Sequence, residues 1–270
     1  MSTTINASLV KELRDATGAG MMDCKRALEE TNGDLDAART LLRERGMASA
    51  SKRAGRETTE GLVGYILDGS VGTIMGIGCE TEPVSKNEAF EEFGAKVLRA
   101  VHADGADVVE SFEEERIELI AKLGENIVIV SPQRFEAPEG NVLAAYAHPP
   151  ANKIGVLVEL EGGSEELARQ LAMHISFAAP EWTTRDDVPA DVLAAERSIY
   201  ENTDEVQSKP EAARGKIVDG MLNKRFFAAV PGGALVEQAW IHEPSKTVGQ
   251  AMSEAGASVA RFARVSVAGS

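Results

Sequence analysis

Over residues 1–46 the apolar positions recur at helical spacing and are interrupted by glycine. Asn6 is placed to cap a first helix, with Leu9, Leu13 and Ala16 on one face. Thr17-Gly18-Ala19-Gly20 breaks it. A second helix is predicted from about Met21 to Glu30, with Cys24, Ala27 and Leu28 inward, and Asn32-Gly33 ends it. Asp34 caps a third, which turns Leu35, Ala38, Leu41 and Leu42 inward and is expected to stop at Gly46. Three short helices with glycine breaks make a small bundle, marginal in isolation at this length. Residues 47–60 hold Lys52, Arg53 and Arg56 among small residues, the composition of a linker with partial helical character.

From residue 61 the period changes. Residues 62–78 read as a strand ending near Tyr65–Leu67, a turn at Asp68-Gly69-Ser70 and a second strand beginning at Gly72. Residues 142–162 repeat the plan: a strand carrying Tyr146, a turn at Pro149-Pro150-Ala151-Asn152, and a strand beginning at Gly155. Each hairpin is followed by a helical stretch (Asn87–Ala103; Ser164–Ala178), a shorter helix (Glu113–Leu123; Thr247–Ala255) and a closing strand (Asn126–Val130; Arg261–Val267). The order predicts an α+β fold with two related core subdomains, 61–140 and 141–179 continued by 234–270. The second is interrupted by residues 180–233, which are helical and charged. There Val188–Glu201 and Lys209–Phe227 are predicted to pair as an antiparallel hairpin around Asn202–Pro210. Such an arm offers an outer face to another protein or to a second copy of the chain.

Charge narrows the function. With 28 Lys and Arg against 43 Asp and Glu, the net charge is -15. So acidic a chain repels phosphate backbones and is expected not to bind nucleic acid directly. Cys24 and Cys79 stand far apart with no ligand spacing, so neither a disulfide framework nor a zinc site is indicated. The polar, helix-periodic N-terminus does not read as a signal peptide. No apolar run approaches the roughly 20 residues of a membrane span, and the expected location is the cytoplasm.

Enzymatic chemistry finds little support. There is no phosphate-binding G-x-x-x-x-G-K-[ST] loop, no strand-to-helix G-x-G-x-x-G and no G-x-S-x-G elbow. His102, His148, His174 and His242 lack partners at metal-ligand spacing. The run Glu113-Glu114-Glu115 reads as a solvated helix face. No cofactor, metal or catalytic residue is expected, and the weight falls on a binding protein.

The segment 13–28, LRDATGAGMMDCKRAL, resembles the N-terminal signature of the elongation factor Ts family. Residues 77–87, IGCETEPVSKN, are similar to the family's second motif. Leu123-Gly124-Glu125-Asn126-Ile127, Ala172-Met173-His174-Ile175 and residues 243–250 follow in family order. The resemblance covers nearly the whole chain, with the arm only loosely matched. It implies a three-helix N-terminal domain like a ubiquitin-associated domain, followed by two α+β subdomains with an inserted helical hairpin. It further implies a guanine nucleotide exchange factor of translation elongation, which binds elongation factor Tu·GDP and promotes GDP release so that GTP can rebind. A competing expectation is an adaptor that uses the ubiquitin-associated-like bundle to bind peptides or proteins.

The resemblance also implies residue roles. The family's nucleotide-release wedge reads Thr-Asp-Phe-Val, and the matching residues here are Thr81, Glu82, Pro83 and Val84. Glu82 keeps the carboxylate with one more methylene. Pro83 replaces a large aromatic ring by a small rigid one that fixes φ. Arg14, Met21, Met22 and Lys25 match the N-terminal surface set against the GTPase domain, although Met21 and Met22 could instead belong to the bundle's own core, and Lys25 could be solvated. Leu123, Gly124 and His148 match positions that touch the partner's third domain. His174, in an apolar helical run, reads as a packed core histidine. Some family members continue into a C-terminal helix that this chain, ending Arg264–Ser270, is expected to lack. The arm mediates homodimerisation in some members.

Overall fold

The computed structural model describes residues 5–267; Met1–Thr4 and Ala268–Ser270, part of the expected N- and C-terminal readings, lie outside them. The chain opens with α1 (Ala7–Thr17), α2 (Met21–Glu30) and α3 (Leu35–Arg53). The Asn6 side chain accepts from Leu9 N and Asp34 accepts from the amides of Asp36 and Ala37, the two caps expected from sequence. Gly18 takes the left-handed conformation that closes α1, with φ 67. Val10, Leu13, Cys24, Ala27, Leu28 and Ala38 form the bundle core.

The expected stop at Gly46 does not occur, and α3 runs on to Arg53. Gly46 is buried, and a methyl group there would lie 3.5 Å from the Ala121 Cβ. The glycine permits close approach of two helices rather than ending one. Residues 47–53 of the expected linker are therefore helical, and Ala50 joins the core of the following unit.

That unit comprises β1 (Glu60–Asp68), β2 (Val71–Cys79), α4 (Glu82–Ser85), α5 (Glu88–Asp104), a 3-10 segment at Ala106–Phe112, α6 (Glu113–Leu123) and β3 (Val128–Glu136). The next has β4 (Asn141–Ala147), β5 (Ile154–Glu161) and α7 (Glu165–Ala178). After the insertion it is completed by α11 (Val248–Glu254) and β6 (Ser258–Ser266). Both sheets are antiparallel, ordered β1-β2-β3 and β4-β5-β6, so the two units share one topology. Each third strand also carries an extra residue against its neighbour.

Alternation along the strands produces four layers. Met75, Ile77 and Cys79 pack with Phe90, Phe93 and Val97 of α5, whereas Ile74 and Val63 face Leu157, Val265 and Val267 of the second sheet. Val156, Val158 and Leu160 turn the other way, onto Leu171 and Ile175 of α7 and Met252 of α11. The sheets are thus stacked face to face with helices outside. Gly72, Gly76 and Gly155 line the inner seam, where an added Cβ would lie 2.8 Å or less from Leu157, Val267 and Val63 respectively.

The insertion contains α8 (Ala190–Glu201), α9 (Asp204–Gln207) and α10 (Glu211–Met221), the last extended by a π-helical turn at Leu222–Phe227. Its apolar residues Tyr200, Val206, Val218, Met221 and Leu222 make a core of their own. Its base is pinned by the Gln238 side chain, which donates to the carbonyls of Ala229 and Gly232 and accepts from His174 Nε2 at 3.0 Å. His174, on α7, is fully buried there against the returning chain.

Candidate functional site

The segment linking β2 to α5 leaves the sheet and returns through a single short helix. Thr81, Glu82 and Pro83 are exposed, Val84 half-buried and Ser85 buried, so the turn projects while its far end is anchored. Pro83 lies in the first turn of α4, where its missing N–H costs nothing and its fixed φ suits the helix. The amides of Val84 and Ser85 both donate to Thr81 O.

Thr81 occupies the N-cap position yet makes no capping bond with its side chain. Its hydroxyl donates instead to Glu125 Oε1 at 2.5 Å. The amides of Glu80 and Thr81 each donate to Glu125 Oε2 at 3.0 Å. In return Glu80 Oε1 accepts from the amide of Asn126 at 2.7 Å, and the Arg56 guanidinium lies 3.2 Å from Glu80 Oε2. The Asn126 amide and the Arg56 guanidinium hold the Glu80 carboxyl below the usual carboxylate range. Asn126, itself buried, donates to Arg56 O at 2.9 Å. Two carboxylates therefore cross between neighbouring loops, each satisfying backbone donors of the other.

Glu82 points outward and pairs with Lys86 at 2.6 Å, a bond that lowers the carboxyl and raises the ammonium. Both side chains are largely exposed, so this pair adds little stability. Cys79 is buried below the turn.

Leu123 is half-buried against the first unit's core and Gly124 closes α6 in the left-handed conformation, immediately before Glu125. His148 is exposed where β4 turns into β5; its Nδ1 meets Tyr146 Oη at 2.9 Å. That turn reaches the same end of the molecule as Thr81. Val63 N donates to Asn152 O at 2.7 Å, Lys153 pairs with Glu60 at 2.6 Å, and Glu60 is the strand partner of Cys79. The structure thus brings Thr81, Glu82, Pro83, Val84, Leu123, Gly124 and His148 to one end.

In the bundle, Met21 and Met22 are 58% and 62% exposed, and neither belongs to its core. Arg14 is exposed, and Lys25 is a surface residue 3.7 Å from Glu29. The α1–α2 corner touches α6: a methyl group at Gly18 would sit 3.7 Å from Lys122 Cδ. The acidic run at the start of α6 is ion-paired, Glu113 with Arg116, Glu114 with Arg43 of α3 and Glu115 with Lys96 of α5.

Sequence reasoning did not single out Glu80, Glu125 and Asn126. They stand inside the quoted motifs, but their pairing spans 44 to 46 residues, which no local pattern reveals. Among the described residues no group of three or more His, Cys, Asp or Glu is arranged to hold a metal ion. No described helix is long and apolar enough to cross a membrane.

A family model described as "Elongation factor TS" matches residues 80–269, the span that contains this turn and both carboxylates. Elongation factor Ts of Idiomarina loihiensis is 41% identical over 97% of this chain and 91% of its own length. That of Thioalkalivibrio sulfidiphilus is 42% identical over 98% and 92%. That of Salmonella typhimurium is 43% identical over 97% and 91%. The chain belongs to the elongation factor Ts family of translation elongation factors.

Proposed function

We propose that this chain is the guanine nucleotide exchange factor for elongation factor Tu, and that it opens the nucleotide site by inserting the Thr81–Val84 turn. A GTPase holds GDP through phosphate-loop amides and a magnesium ion. An exchange factor shifts that equilibrium only by binding the nucleotide-free form more tightly. Linkage then requires GDP to weaken the factor's own grip by the same ratio. A rigid projection that fits between partner helices only when they have separated meets this requirement without a chemical step.

The observation that carries the reading is the form of the turn: an exposed tip, Thr81–Pro83, on a root tied to the α6–β3 connection and to Arg56 ahead of β1. Glu82 presents a carboxylate at the tip and Pro83 a small rigid ring. With no aromatic side chain to bury, backbone position matters more here than ring contact. Leu123, Gly124 and His148 contact the partner's third domain, and Arg14, Met21, Met22 and Lys25 its GTPase domain.

Release of fluorescently labelled GDP from the cognate elongation factor Tu tests the assignment. Glu82→Ala and Pro83→Ala are expected to slow release at saturating factor by about tenfold or more, the scale on which misplaced groups act. Unchanged rates for both variants remove this turn from the mechanism. Co-purification with elongation factor Tu, broken by GDP, separates an exchange factor from a peptide-binding adaptor.

A further inference from the structure

We infer that Glu125 is the positioning residue of the projecting turn, with Glu80 as its reciprocal. This inference rests on the exchange reading above. An N-cap threonine ordinarily uses its hydroxyl on its own helix. Thr81 does not: the hydroxyl goes to Glu125 Oε1, and the amides of Glu80 and Thr81 go to Glu125 Oε2. The orientation of α4 is therefore set by a side chain from the α6–β3 connection, 44 residues further along. Glu80 locks that connection in turn by accepting from Asn126 N and Arg56.

The consequence is directional. Leu123 and Gly124 stand immediately before Glu125, so a partner seated on that connection acts on the residue that aims the tip. Displacing the connection moves together the two carboxylate oxygens that take three hydrogen bonds at the root of the turn. A carboxylate that takes three donors at one root holds the tip in its inserting orientation before the partner arrives, and pre-organisation raises the rate at which a bound complex releases nucleotide. Glu125 touches no nucleotide; it acts through Thr81.

The test compares Glu125→Ala, Glu125→Gln and Thr81→Val in full-length protein, using labelled-GDP release across a range of factor concentrations. A glutamine Oε1 can accept from both amides while its Nε2 donates to the Thr81 hydroxyl, so it keeps the geometry and loses only the charge. The maximal release rate is expected to fall about tenfold for Glu125→Ala, with the half-saturating concentration changed less than about threefold, and Glu125→Gln to recover most of the rate. Thr81→Val, which removes one of the three bonds and keeps the branched shape, is expected to fall between them. A purely structural role would lower the thermal midpoint and the active fraction but leave the maximal rate per bound complex intact, and that result overturns the inference. So does equal impairment of the Gln and Ala variants. If Glu125→Ala does not fold, a maximal rate in Thr81→Val equal to that of the parent overturns it. The outcome in which Glu82→Ala and Pro83→Ala slow release while the Glu125 and Thr81 variants do not refutes the positioning role alone. Unchanged Glu82→Ala and Pro83→Ala rates refute the underlying reading.

Discussion

The Cys79 thiol donates to the carbonyl oxygen of Thr81 at 3.3 Å, tying the last residue of β2 to the root of the projecting turn. Burial, reinforced by the negative charge of Glu125, pushes this thiol up to about 12. At pH 8 that leaves on the order of 10⁻⁴ of it as thiolate, against roughly a quarter for an ordinary cysteine. Cys24 is also buried, and burial raises its thiol too. Cys79 of the folded chain should therefore react with a disulfide reagent at pH 8 at least about 10³-fold more slowly than free cysteine, and denaturant should release it. Fast labelling of Cys79 in the folded protein would contradict this account of its surroundings.

The seam between the sheets gives a stability prediction with its own control. A Cβ on Gly155 would lie 2.5 Å from Val63 Cγ1 and 3.0 Å from Ile74 Cδ1. Valine is stiff at χ1 and cannot easily swing away. Gly155→Ala should thus cost about 1–3 kcal/mol, the usual range for overpacking. Gly215, in the middle of α10, has nothing within 4 Å of its Cβ position. Gly215→Ala should stabilise by up to about 1 kcal/mol through helix propensity. Urea midpoints of the two variants moving in the same direction would overturn the packing argument.

Much of this architecture is legible in the sequence because its punctuation is local. The Asp68-Gly69-Ser70 turn, the caps at Asn6 and Asp34, and the order of hairpin, helix and strand all follow from residues close to one another. Gly46 reads as a helix stop, yet its reason lies in Ala121, a tertiary neighbour. The first closing strand, predicted at Asn126–Val130, runs over Val128–Glu136. Ser131-Pro132 resembles a strand end, yet β3 is an edge strand, where a bulge accommodates a proline and a Ser131 φ of 43. The turn at Thr81–Val84 could be proposed from its motif. The residues that aim it could not, since their bonds close loops of more than forty residues.

His174 makes stability depend on pH in a defined window. Its Nδ1 accepts from Ile241 N at 3.4 Å while its Nε2 faces the Gln238 carbonyl oxygen, an arrangement suited to the neutral ring. Burial lowers its pKa, outweighing the Gln238 bond that raises it, and nearby His242 adds to the lowering. The unfolded chain therefore takes up a proton near pH 6.5 that the folded chain refuses. The contribution of the neutral ring is complete above that pH and is lost progressively as pH falls below it. The urea midpoint should be lower at pH 5.5 than at 7.5, and the difference should shrink in His174→Gln, whatever that variant's starting stability. A difference of the same size in both proteins would mean that another group is responsible.

Met21 and Met22 are adjacent on the first turn of α2 and both face outward, while Cys24, Ala27 and Leu28 supply that helix's inward face. Two neighbouring exposed methionines present flexible apolar surface with no use in the bundle's own packing. Substituting either by alanine keeps helix propensity high and removes no core contact, so stability should change by less than about 0.5 kcal/mol. If the pair rests on the GTPase domain, each loss should weaken association by about 1 kcal/mol, or roughly fivefold. The half-saturating concentration in labelled-GDP release should rise by that factor while the thermal midpoint holds. A fall in the thermal midpoint with no change in half-saturation would assign both methionines to the fold and leave the bundle without its apolar contact. A rise in half-saturation for only one would show which side chain points at the partner, because successive positions on a helix are turned about 100° apart.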